Sequence, residues 1–208
     1  MLHYIYPVLI VSTLLVGLFN REKIKGKIIF SLLYFLFFSV LVEVSGPLIS
    51  KFLDIKSFFV YNTYFLVSIL FYNYLFKAYL TSKKTKKTLN LLTIGYVLFI
   101  VLNHFLMQDY YHSFQTNSAI YSGIFAIIAV GAYYFESLNS DKVLYAKKSL
   151  LFWVSLGLLL FQIGIIPIYI FAEYLNFSGI FDYILLTLNF ILYGCMMIGF
   201  VVSERAHN

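Results

Sequence analysis

Seven stretches of this chain run for about the thickness of a bilayer with scarcely a charge in them: near residues 4–20, 28–49, 57–77, 89–108, 117–136, 149–172 and 181–202. A helix rising 1.5 Å per residue needs about 17–25 residues to cross ~30 Å of hydrocarbon. Lipid offers no partner to backbone N–H and C=O groups, so such stretches are expected to be helical throughout. The alternation of a membrane barrel is missing. Hydrophobic residues make up 62% of the chain and charged residues 12%, against about 45–50% and 25% in soluble domains. So little polar surface could not cover so apolar a body in water. The expected fold is all-α: a polytopic membrane protein, with one bundle of seven transmembrane helices over residues 1–208.

The basic residues give this bundle a direction. Arg21, Lys23, Lys25 and Lys27 follow the first stretch, and Lys77, Lys83, Lys84, Lys86 and Lys87 follow the third. Lys142, Lys147 and Lys148 follow the fifth, and Arg205 follows the seventh. Only Lys51 and Lys56 fall on the other side. Thirteen against two predicts that the rich side is cytoplasmic, hence N-out/C-in. Facing anionic lipid headgroups, these residues account for the net charge of +6 without nucleic acid as a partner. The leading Met1-Leu2-His3-Tyr4 lacks a basic region and no small-x-small site follows, so the first stretch reads as an anchor rather than a cleaved signal. With connections of roughly ten to fourteen residues at most, and about six residues after the last stretch, no soluble output domain is expected. The expected location is the cytoplasmic (inner) membrane of a bacterium, with the bilayer as the first partner.

Polar groups inside hydrocarbon are costly unless paired, so they are the natural candidates for a site. Glu43 is the only carboxylate well inside an apolar stretch. Asn62, Asn103, His104 and Asn117 fall in the outer parts of their stretches, Glu173 at the outer rim, and Gln162 and Asn189 nearer the middle. The inner half is poorer: Asn73 is its clear member, with Glu136 at the boundary. The polar groups thus concentrate toward the outside. Glu43 reads in two ways: a ligand contact, proton carrier or ion ligand near His104, or a snorkelling acid bonded to Ser39 and turned outward at Gly46-Pro47. Asn62 and Asn73, eleven residues apart, share one stripe of a 3.6-residue helix and suit inter-helix hydrogen bonds. Pro167 is expected to kink its helix and serve as a hinge. Asn176-Phe177-Ser178 fits a glycosylation sequon.

Several chemistries lack their residues. The four histidines have no metal-ligand spacing, and Cys195, the only cysteine, has no partner for a disulfide or a metal site. Span 181–202 contains no lysine for a retinal Schiff base. Nucleophile-elbow, zinc-protease, P-loop and dinucleotide-binding motifs are missing, and a hydrolase built on Glu43 and His104 would need a second catalytic group. No cofactor is expected. The aromatics, 21% of the chain with 19 tyrosines and a single tryptophan, read as filler and interface anchors.

Glu43 late in span 2, Tyr61-Asn62-Thr63-Tyr64 opening span 3, Phe152-Trp153 with Gly157-Leu158-Leu159 in span 6, and Asn189 in span 7 together resemble a group of small seven-helix membrane proteins of Bacteroidota-type bacteria. In that group an acidic residue often follows the Asn-x-Tyr of span 3; here Ser68 stands at about that place. Members are often encoded near sensor histidine kinases, so the resemblance implies a signalling role with a sensor kinase or another membrane protein as partner. The functional expectation is a non-enzymatic sensory or regulatory subunit. Its outward cavity would be lined by Glu43, Asn62, Asn103, His104 and Asn117, and it would signal through a separate partner. The alternative is a small transporter or channel, with a polar path continuing inward through Gln162, Asn189 and Asn73.

Overall fold

A computed structural model describes residues 5–24, 26–171 and 180–207, and among them every regular element is helical. In chain order these are α1 (Ile5–Phe19), α2 (Lys27–Leu53), α3 (Phe58–Tyr79), α4 (Lys83–Leu106), α5 (Thr116–Leu138), α6 (Leu150–Phe171) and α7 (Ile180–Val202). Short 3-10 segments at Arg21–Lys23, Asp141–Lys148 and Arg205–His207 punctuate them. Helices α2 to α7 are long and apolar enough to cross a bilayer, whereas the described part of α1 has 15 residues. Phe37, Leu98, Phe105, Ile163 and Phe190 are each at least half exposed on the outer faces. A water-soluble monomer rarely displays so continuous an apolar surface; lipid makes it the favourable one. The chain is an integral membrane protein. Glu173 and the Asn176-Phe177-Ser178 sequon lie outside the described residues.

Six of the helices close a ring. α1 packs on α2, α2 on α3, α3 on α5, α5 on α6, α6 on α7, and α7 returns to α1. α4 stands outside this ring, against α3 and α5. Between apolar helices in lipid, close backbone approach replaces the hydrophobic drive, and the α6–α7 seam shows how. A Cβ added at Gly157 would stand 2.9 Å from the backbone oxygen of Leu192 and 2.9 Å from Cys195 Cβ. Gly164 and Gly199 likewise leave room for Leu188 and for Leu150 and Trp153.

The lysine-rich connections meet at one end of the ring. Lys23 Nζ donates to Val201 O at 2.5 Å, and Lys148 pairs with Glu204 at 2.9 Å. Glu136, at the end of α5, accepts from Thr81 N–H, Thr81 Oγ1 and Ser82 N–H at 2.5, 2.7 and 3.2 Å. It thereby places an anion at the positive N-terminus of α4. Hydropathy misplaces that terminus. The apolar stretch begins at residue 89, but the helix begins at Lys83, because Ser82 Oγ caps it by accepting from Thr85 N–H at 3.2 Å. Lys83, Lys84, Lys86 and Lys87 occupy its first turns, with long stems able to reach the aqueous phase. Hydrophobicity marks where lipid begins, not where the helix does.

The two ends of the ring are packed differently. Toward the lysine-rich end the interior is filled: Leu36, Leu75, Phe76, Ala126, Ala129, Val130, Leu150 and Phe200 are all 0–1% exposed. Toward the other end the helices part around a cavity.

Candidate functional site

The cavity measures about 400 Å³ and is walled by all six ring helices. α3 presents a stripe at helical spacing, Tyr61, Tyr64 and Phe65, Ser68 and Tyr72. Steps of three and four residues keep a stripe on one face of a 3.6-residue helix. α2 contributes Ser39 and Glu43, α5 contributes Ser122 and Gly123, and α6 contributes Phe161, Gln162 and Tyr169. α7 contributes Asp182, Asn189 and Tyr193, and α1 contributes Tyr6. Leu158, Leu192, Tyr72 and Tyr193 lie deepest along their helices and border the filled half.

Aromatic contacts stiffen this wall. Phe65, Phe114 and Tyr169 form a triad with centroids 5.5, 5.8 and 6.4 Å apart. Tyr64 stacks on Phe35 and Phe38 at 5.9 and 6.1 Å, and its hydroxyl accepts a long hydrogen bond from Ser39 Oγ at 3.4 Å. Polar atoms face the remaining space. Ser68, 4% exposed, has an Oγ near the Tyr64 hydroxyl that meets no partner at hydrogen-bonding distance and angle. Asn189 Nδ2 donates to Leu185 O of its own helix at 2.8 Å. The Gln162 oxygen lies 2.8 Å from where a Cβ on Gly123 would be, so that glycine makes room for the amide.

Among the described residues lining the cavity, those of ionising Asp, Glu, Lys, Arg or His type are all acids. Glu43 and Asp182 both line it, while no Lys, Arg or His is among the described lining residues. Prolines weaken the helix ladders on the same side: Pro47 and Pro167 lie inside α2 and α6 and have no backbone N–H to donate. Both helices nevertheless run on through their prolines.

The residues anticipated from sequence divide into two groups. Glu43, Gln162 and Asn189 line the cavity. Asn62, Asn103, His104 and Asn117 face the connection between α4 and α5 instead. Asn62 Nδ2 donates to the carbonyls of Tyr110 and Ser113 at 2.7 and 2.9 Å, and its Oδ1 accepts from Gln115 N–H at 3.0 Å. His104 Nδ1 accepts from Tyr110 N–H at 2.9 Å. Asn103 Nδ2 donates to Ser118 Oγ at 3.2 Å, and Asn117 N–H donates to Gln108 Oε1 at 3.1 Å. The expected closeness of Glu43 and His104 gives way for a topological reason: His104 sits on α4, the helix left outside the ring. Asn73 bonds Asn90 across the α3–α4 seam at 3.2 Å, on a stripe shared with Asn62.

This loop network still reaches the cavity, through Phe114. By fixing residues 110–115, Asn62 sets Phe114 between Phe65 and Tyr169. At the loop's exposed edge, backbone hydrogen bonds from His112 and Tyr111 hold the Asp109 carboxyl below its ordinary value. Asp182, Ser122, Tyr6, Tyr72, Tyr169 and Tyr193 escaped the sequence reading, in which Ser39, Ser68, Tyr61 and Tyr64 entered only as a neighbour of Glu43 or as parts of a motif. The α3 stripe was the available signal, since Tyr61 and Tyr72 are eleven residues apart, the same spacing that linked Asn62 to Asn73.

Fold and site together define a class: an integral membrane helical protein holding an acidic, tyrosine-lined cavity in one half of its bundle. Among the described residues no three His, Cys, Asp or Glu side chains gather to hold a metal ion. Compared with protein-family models, with characterised proteins and with solved structures, the chain finds no match.

Proposed function

We propose that this chain is a seven-span, N-out/C-in protein of a bacterial cytoplasmic membrane, and that it acts as a non-enzymatic receptor or regulatory subunit binding a small ligand in its hollow half. The observation that carries this reading is the blind end of the cavity. Tyr72, Leu158, Leu192 and Tyr193 border it, and beyond them the ring interior is filled with Leu36, Leu75, Phe76 and Phe200. A transporter or channel would need polar groups leading on through that region. The inner residue Asn73 turns to the seam with peripheral α4, where its Nδ2 donates to Asn90 Oδ1 at 3.2 Å.

Thirteen basic residues on the packed side support its cytoplasmic placement, which turns the cavity outward. In this reading α1 crosses with the rest. Ligand occupancy shifts α2 and α6 at Pro47 and Pro167, and the packed half passes the shift to a cytoplasmic partner, with a sensor kinase the leading candidate. Substituted-cysteine accessibility tests the core of this. In a Cys195→Ser background, Ser122→Cys should react with a small impermeant methanethiosulfonate added outside cells, and not with the same reagent added outside inverted vesicles, whose cytoplasmic face is turned outward. Reaction from both faces would favour the transporter reading, and reaction from the cytoplasmic face alone would refute the orientation.

A further inference from the structure

We propose that the ligand is an organic cation, a substituted ammonium carried on a small apolar body. The inference rests on the reading of the cavity as a ligand site and adds the chemistry of what enters it. Three features converge. First, two carboxylate residues, Glu43 and Asp182, line the space together with no described basic residue. In a low-dielectric interior their attraction for a cation is much stronger than in water. An anionic ligand would meet the same field as repulsion.

Second, tyrosines supply most of the aromatic wall, six of its ten rings. Rings present a negative face to a cation, and substituted ammonium groups are recognised by cages of such rings. Tyr64, Phe65 and Tyr169 are held in place by their neighbours, with Phe114 closing the triad, so the cage needs little ordering on binding. Third, oxygen acceptors are at hand: Ser68 Oγ meets no protein partner and the Gln162 amide oxygen lies against Gly123 in the cavity wall, which suits N–H or polarised C–H groups on the ligand. A cavity of about 400 Å³ has room for the head together with an apolar substituent, which the phenylalanines would accommodate.

The test uses the full chain in lipid nanodiscs and three probes of similar shape: benzyltrimethylammonium, its uncharged carbon isostere neopentylbenzene, and phenylacetate. Equilibrium dialysis, with empty nanodiscs subtracted, should show the cation bound at least about tenfold more tightly than the neutral isostere, and the anion not bound. Asp182→Asn and Glu43→Gln should each weaken cation binding several-fold while leaving the neutral probe unchanged. Tyr169→Phe, which keeps the ring face, should retain cation binding, and Tyr169→Leu should lose it. Equal binding of the cation and the neutral probe, abolished by Ser122→Trp, would overturn the cation inference while leaving the ligand cavity standing. Binding of phenylacetate, or of no probe at all, would also overturn it. The accessibility of Ser122→Cys then decides separately whether the receptor reading survives.

Discussion

The two halves of the ring are built from the same six helices and the same kinds of side chain, yet one is filled and the other is hollow. In the filled half, α5 presents Ala126 and Ala129, both 0% exposed, so α3 and α6 close around it with Phe76, Leu75 and Leu150 interleaved. One to two turns earlier, the same helix presents Ser122 and Gly123, but α3 and α6 oppose them with Tyr64, Phe65 and Tyr169, rigid rings that wall a space instead of filling it. The prolines reinforce the division, since Pro47 and Pro167 both interrupt ladders beside the cavity. A bundle held by close packing can leave one half open only if the other half carries its stability.

The largest test of that division compares two deletions of equal size. Phe76→Ala removes a side chain that is 0% exposed and packed near Tyr133. Phe→Ala in a water-soluble core costs about 3–5 kcal/mol, part of it from transfer to water. With lipid as the alternative environment the packing part remains, so about 2–3 kcal/mol is expected. Phe161→Ala merely enlarges a space that already exists and should cost about 1 kcal/mol or less. Thermal unfolding in detergent would read the difference. Equal losses would mean that the cavity is as tightly packed in solution as the other half, and the comparison would fail.

Next in size is the hold on the loop that carries Phe114. Asn62→Leu removes three hydrogen bonds and strands the Gln115 N–H and the Tyr110 and Ser113 carbonyls. At about 1 kcal/mol or a little less for each bond, roughly 2–3 kcal/mol should be lost. Amide hydrogen exchange should rise in residues 108–115 and stay unchanged in the filled half. Uniform loosening of both halves would show that Asn62 holds the whole ring, not the cavity wall.

The sequence disclosed this architecture unevenly, for physical reasons. Six long apolar helices follow from lipid's demand on the backbone, and that demand can be read directly from hydropathy. Helix ends are set by local hydrogen bonds, so the Ser82 cap moves the start of α4 to Lys83, six residues before the apolar stretch. The site depends on which faces meet. Tyr61 and Asn62 are one residue and about 100° apart on the same helix; one turns to the cavity and the other to a loop. Polarity alone ranks Asn62 first. Only the closure of the ring through α3 and α5, which excludes α4, shows that the tyrosines face the cavity while Asn103 and His104 do not.

The smallest expected effect is the most direct comparison of the halves, because it installs the same side chain on one helix at positions four residues apart. Ser122 and Ala126 lie on one stripe of α5, 4% and 0% exposed, but only Ser122 borders the cavity. Leucine at position 126 has no space to enter, and overpacking of this kind costs about 1–3 kcal/mol. Leucine at position 122 extends into open volume and exchanges a hydroxyl for an apolar group, so its stability should change by less than about 1 kcal/mol. The order should reverse in binding, with Ser122→Leu lowering probe affinity far more than Ala126→Leu does at temperatures where both remain folded. If Ser122→Leu proved the more destabilising of the two, the space beside it would have to be closed in the membrane, and the hollow half with it.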